Sequence, residues 1–127
     1  MRILVVVALL TGMTGAIPAA GATEAAAAPE TFLVLGVSGD GHAQFVTLHC
    51  DPASGTHPHA DATCRALLAA GGDINKLAGQ PDTLCPDIYD PVTATASGHY
   101  QGAQMIFQRT YPNHCELATK TAPLFQF

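Results

Sequence analysis

The sequence predicts an α+β domain: a five-stranded antiparallel sheet, one or two helices packed on one face, and two disulfides as staples. Three observations carry this. Residues 31–37 (Thr-Phe-Leu-Val-Leu-Gly-Val) form a β-rich run, and Ala103 to Tyr111 alternates, with Met105 and Phe107 on one side and Gln104 and Gln108 on the other. Cys64, Leu67 and Leu68 recur at helical spacing between them. Four cysteines (Cys50, Cys64, Cys85, Cys115) stand in a domain small enough to gain from cross-links.

In chain order, Met1-Arg2, the apolar run Ile3 to Leu10 and the small-residue site Ala20-Gly21-Ala22 read as a secretory signal peptide over residues 1–22. The apolar run is far shorter than the roughly 20 residues a membrane-spanning helix needs. Residues 23–30, with four alanines at 25–28, read as a mobile tail, and residues 31–127 as the folded domain. The first strand turns through Gly39-Asp40-Gly41 into a second over residues 43–49, followed by an irregular loop over residues 51–59. Asp61 is the expected cap of a helix that ends at Gly71-Gly72, and Asp73 the cap of a short turn through Ile74 and Leu77. A third strand over residues 92–97 connects through Gly98-His-Tyr-Gln-Gly102 to the fourth. Leu124-Phe-Gln-Phe127 is expected to close the sheet as a fifth. The first strand is apolar on both faces, which fits either a central strand buried within the monomer or a sheet face covered by a second copy of the chain.

Charge and composition exclude several classes. Beyond the leader, Arg65, Lys76, Arg109 and Lys120 face ten carboxylates, so there is no basic patch for nucleic acid. Export places the cysteines in an oxidising compartment, where disulfides are the default. That removes thiolate ligands from the metal reading suggested by His57-Pro58-His59, by His49 beside Cys50 and by His114 beside Cys115. Ser54 with His57 lacks the elbow and partners of a hydrolase. The sequence therefore points to neither enzyme, metal site nor cofactor.

The chemistry that remains sits in Thr83-Leu84-Cys85-Pro86-Asp87-Ile88-Tyr89-Asp90-Pro91. This segment carries no base and no free nucleophile. Pro86 fixes its own φ and pushes Cys85 towards extended geometry, the form protease clefts accept. A rigid extended loop tied to a scaffold suits binding like a substrate with slow release, because pre-ordering leaves little entropy to lose.

The chain resembles the Streptomyces subtilisin inhibitor family over residues 31–127. The resemblance is carried by Ser54-Gly-Thr-His-Pro58, Ala70-Gly-Gly-Asp-Ile-Asn75, Cys85-Pro-Asp-Ile-Tyr-Asp-Pro-Val92, Tyr100-Gln-Gly102, Cys115-Glu116 and Phe125-Gln-Phe127, in family order. It implies a secreted, extracellular inhibitor of serine proteases, usually a homodimer associated through sheet faces. It also implies the pairing Cys50–Cys64 and Cys85–Cys115, one of three connectivities open to four cysteines. The second bridge closes a loop for which chain entropy suggests roughly 3–4 kcal/mol. The residue after Cys-Pro enters the protease S1 pocket (P1), so the resemblance makes Asp87–Ile88 the reactive bond. Leu84, Cys85, Pro86, Tyr89 and Asp90 then flank it as contacts.

Two departures follow. Tyr100 stands where the family often has Trp, a change expected to alter only hairpin packing. Asp87 stands where Met, Lys or Arg is common, and an ionised carboxylate in an apolar S1 pocket loses hydration without a partner. Glutamyl-type endopeptidases, with a donating S1, are the natural complement. The alternatives are a weak, broad inhibitor of subtilisins, and a secreted binding module that kept the scaffold without inhibition.

Overall fold

The computed structural model describes Gly12, Gly15 and residues 29–127. The leader expected over residues 1–22, apart from those two glycines, and the tail up to residue 28 lie outside the described residues. No helix among the described residues is long and apolar enough to cross a membrane.

Strands β1 (Thr31–Gly39) and β2 (His42–Cys50) form a hairpin, helix α1 (Ala60–Ala69) and a 3-10 turn (Ile74–Lys76) follow, and β3 (Val92–Tyr100) and β4 (Ala103–Tyr111) form a second hairpin leading to helix α2 (His114–Thr121). The sheet is antiparallel in the order β2-β1-β3-β4. Both hairpins turn on two residues with positive φ: Asp40 and Gly41 (49° and 73°), and Gln101 and Gly102 (47° and 81°). This is the twist-matched turn that Asp-Gly favours.

The sheet has four strands, not five. Leu124 and Phe125 are 0% and 5% exposed, so consecutive residues face the same core, whereas a strand would alternate them. The backbone instead turns, Leu124 N–H donating to the Thr121 carbonyl (2.9 Å) and Gln126 N–H to that of Pro123 (3.1 Å). The second helix differs in place: the element expected at Asp73 is the 3-10 turn, and α2 follows β4, where no helix was expected.

One face of the sheet is the core face. In register across the strands, Leu48, Leu33, Gly98 and Met105 form one row, and Val46, Leu35, Ala96 and Phe107 the next. Leu67 of α1, Leu117 of α2 and Leu124 pack into the same cluster. Each fully buried leucine contributes roughly 1.5–3 kcal/mol relative to exposure. The opposite face carries Phe32, Val34, Phe45 and Ile106, and β1 is central but not covered there: Phe32 is 38%, Phe45 66% and Ile106 77% exposed. Gly36 makes room for Phe45 on this face, as a Cβ would come within 2.7 Å of its ring.

Helix α1 starts one residue before its expected cap. Thr63 N–H bonds to the His59 carbonyl (2.9 Å), and Asp61 falls in the first turn, paired with Arg65 at 3.2 Å on the exposed side. It ends as Gly71-Gly72 foretold: Gly72 N–H reaches the Leu67 carbonyl (2.8 Å) and Gly71 N–H that of Leu68 (3.1 Å). Gly72 also lies against Tyr100, where a Cβ would sit 2.4 Å from the ring. Asp73 caps the 3-10 turn through Asn75 N–H at 3.0 Å.

His57, 4% exposed, fastens the loop after β2 to the C-terminal segment. Its Nδ1 accepts from His59 N–H (2.9 Å), so the proton sits on Nε2, which donates to the Leu124 carbonyl (2.9 Å). Burial lowers its pKa below 6.5, against the opposing pull of the Leu124 carbonyl. Because the folded state resists protonation, the unfolded chain gains protons first as pH falls below 6.5, and stability contributed by this group declines there. His57→Gln should cost about 1–3 kcal/mol at pH 7. Urea unfolding between pH 7 and 5 checks the sign: the gap between the two proteins should narrow with falling pH, and a constant gap would contradict it.

Candidate functional site: a clamped, exposed loop

Between the 3-10 turn and β3 the chain runs without regular structure and stands out from the body. Leu84 is 97%, Tyr89 83% and Ile88 57% exposed, and Pro86, Asp87 and Asp90 are exposed too. Exposed apolar side chains on a loop are unfavourable in isolation, so their display needs a rigid support and a partner.

The support comes from the β4–α2 junction. Cys85 is bonded to Cys115, the second residue of α2, with an S–S length of 2.05 Å and Cα atoms 5.6 Å apart. Asn113 caps α2, its Oδ1 accepting from Glu116 N–H at 2.9 Å. The same side chain turns its Nδ2 outward, donating to the Ile88 carbonyl at 2.7 Å and standing 3.5 Å from that of Pro86. These two carbonyls flank Asp87, and Asn113 is itself 7% exposed, which keeps its geometry fixed. Ile88 N–H closes a tight turn onto the Pro86 carbonyl (2.9 Å), and Asp90 N–H donates to the Pro112 carbonyl (2.8 Å). On the entering arm, Gln80 N–H bonds to the Thr119 carbonyl (2.9 Å). Thr119 Oγ1 lies 3.3 Å from Cys85 Sγ.

All seven residues expected at the site, Leu84 to Asp90, lie together on this one loop, with Asp87 and Ile88 at its turn. The other bridge, Cys50–Cys64, ties the end of β2 to α1 (Cα atoms 5.7 Å apart), so both pairings are those the resemblance implied. His57 is turned inward and serves the fold. Asn113 escaped the sequence reading. Its signal was present, since an Asn followed three residues later by Glu116 is a helix-start pattern.

Chemically, the arrangement displays backbone rather than reactive side chains. Asp87 makes no ion pair or side-chain hydrogen bond among the described residues. Only its peptide bond to Ile88 is held on both sides.

A sequence profile described as subtilisin inhibitor-like matches residues 29–113. The chain belongs to the subtilisin inhibitor-like family. That family is made of protease inhibitors, not enzymes. Among relatives, the subtilisin inhibitor of Streptomyces albogriseolus is 43% identical over 83 residues, 65% of this chain and 58% of that protein. The chain thus matches less than two thirds of that relative's length. The trypsin inhibitor STI2 of Streptomyces longisporus is 37% identical over 123 residues, 93% of this chain and 85% of that one. A crystal structure of Streptomyces caespitosus sermetstatin, in complex with Bacillus licheniformis subtilisin, is similar with a TM-score of 0.64 and 34% identity. The match covers 77% of this chain and 99% of sermetstatin.

Asn113→Ala tests the clamp. It removes both the cap and the Ile88 contact, so stability should fall by about 1–2 kcal/mol. Amide exchange near residues 86–90 should rise more than elsewhere. Equal exchange across the loop in both proteins would show that the disulfide alone holds it.

Proposed function

We propose that the protein is a secreted, substrate-like inhibitor of serine endopeptidases that presents Asp87–Ile88 as its reactive bond. The observation that carries this is the double restraint on the carbonyls of Pro86 and Ile88, one on each side of the displayed residue. A peptide already ordered in its bound shape loses little entropy on docking. Once cut, its new ends stay near each other and can rejoin. The inhibitor names of the relatives, and sermetstatin's complex with subtilisin, support the same class of partner.

Asp87 determines which protease. Burying its carboxylate unpaired in an apolar S1 pocket costs on the order of several kcal/mol, and a carboxylate-bearing S1 pocket repels it. We assign the inhibitor to enzymes whose S1 pocket donates hydrogen bonds or positive charge, as in glutamyl-type endopeptidases. Leu84, Pro86 and Tyr89 then supply flanking contacts. The competing reading, weak and broad inhibition of subtilisins through those flanking residues, requires subtilisin binding to tighten when the carboxylate is made neutral, as in Asp87→Asn.

Titration of residues 23–127 against a glutamyl-specific endopeptidase and a subtilisin separates these readings. Stoichiometric inhibition of the first, with Asp87→Met weakening it at least tenfold and strengthening action on subtilisin, is the expected result. Unchanged inhibition by Asp87→Met would sink the acidic preference. Inhibition of neither enzyme would favour a non-inhibitory binding module.

We further assign the open sheet face to a second copy of the chain. Phe32, Phe45 and Ile106 are exposed apolar side chains on a face whose other residues are uncharged at the strands, with no lysine or arginine there, which suits self-association through a two-fold axis. Sedimentation at micromolar concentration should give a dimer, and Ile106→Lys a monomer with an intact fold. A monomeric parent protein would contradict this.

A further inference from the structure

Away from the displayed Asp87 and the open sheet face, a cleft of about 500 Å³ lies between the 3-10 turn, the C-terminal part of β4 and α2. That volume falls within the range of small-molecule sites. Its walls include Arg109, Lys120 and Tyr111 on one side and Ile74, Leu77 and Pro81 on the other. No aspartate or glutamate lines it, although the protein carries a formal charge of −5. The one ion pair among the described residues joins Arg65 to Asp61, so neither Arg109 nor Lys120 has an acidic partner.

Two features make this more than a pair of surface cations. The Arg109 guanidinium carbon sits 5.5 Å from the centre of the Tyr111 ring, a cation–π contact that limits where the charge can go. Tyr111 is 4% exposed overall and lines the cleft; no buried side-chain oxygen or nitrogen among the described residues lacks a partner, so its hydroxyl, which bonds to none of them, opens into the cleft. A phenol with an apolar body held in the core and its hydroxyl open to a cationic cleft is placed to donate to a bound acceptor. Desolvation raises its pKa above 10, with Arg109 opposing, so the hydroxyl keeps its proton at neutral pH.

We propose that this cleft binds an organic carboxylate: Arg109 and Lys120 take the charge, the Tyr111 hydroxyl donates a hydrogen bond, and Ile74, Leu77 and Pro81 receive an apolar body. An inorganic anion would use the cations but leave the apolar wall unfilled. Leu77 and Pro81 lie on the arm that enters the displayed loop, and Gln80 N–H on that arm is bonded to the Thr119 carbonyl of α2. A ligand bridging the two walls therefore also braces that arm, whether or not the loop inhibits a protease.

The test is amide NMR titration of the whole folded domain with three probes: N-acetylphenylalanine, 3-phenylpropionate and N-acetylphenylalaninamide. The two carboxylates should shift resonances of Arg109, Tyr111, Lys120 and their neighbours, and the amide should not. Tighter binding of N-acetylphenylalanine would identify a peptide C terminus as the source, and equal binding a free organic acid; both outcomes support the site. Arg109→Met and Lys120→Met should each weaken binding about tenfold, and Tyr111→Phe severalfold. Arg109→Lys should retain most of it, which separates loss of charge from loss of fold. Binding of the amide as strong as that of the acids, shifts centred elsewhere, or full binding in the Met variants would overturn the proposal.

Discussion

The structure depends on three residues at the junction of β4 and α2. Pro112 accepts a hydrogen bond from Asp90, Asn113 donates to Ile88 while capping α2, and Cys115 holds Cys85. The hydrogen bonds that tie the trailing half of the exposed loop to the body, at Ile88 and Asp90, both pass through this junction. The junction in turn is fixed from below: Tyr111 ends β4 buried, and Leu117 anchors α2 against the sheet at 2% exposure. The core thus sets the position of a backbone segment that itself buries almost nothing. Without the junction, a loop exposing Leu84, Ile88 and Tyr89 would sample many shapes, and its binding entropy would be lost again on every encounter.

Two faces of one sheet are used differently. The inner face is filled by leucines and receives both helices, while the outer face keeps Phe32, Phe45 and Ile106 in water. The central position of β1 explains why its residues are apolar on both sides. Its inner residues serve the core, and its outer Phe32 and Val34 share the open face with Phe45 of β2 and, beyond the polar Ser97 of β3, Ile106 of β4. Neither use disturbs the loop, because the loop is fastened at the end of β4 and the start of α2. The exposed loop, the open sheet face and the cationic cleft are physically separate parts of a small domain.

Much of this was legible in the residues. A β-rich apolar run and the Gly39-Asp40-Gly41 turn after it located the first hairpin, period-two alternation located β3 and β4, and Gly71-Gly72 marked the end of α1 because only residues comfortable at positive φ can close that cap. The segment from Leu84 to Asp90 stood out through its prolines and cysteine. Helix α2 was missed because it is eight residues long and contains three threonines and histidines among its eight positions, all modest helix formers. Leu-Phe-Gln-Phe at the C terminus imitates a strand in composition, and only packing shows that Leu124 and Phe125 share one side. The Asn113 clamp could not be read from spacing, since it joins residues 25 apart whose meeting is decided by the fold of everything between and around them.

The most direct test of the central claim is to locate the cut that a bound protease makes. The protein would be incubated with a trace of the glutamyl-specific enzyme until equilibrium, and then analysed by mass spectrometry with and without reduction. The account predicts a single slow cleavage between Asp87 and Ile88 that stops short of completion. The two pieces should separate only after reduction, because Cys85–Cys115 spans the cut. Rapid, complete digestion, or a first cut at any other bond, would contradict it.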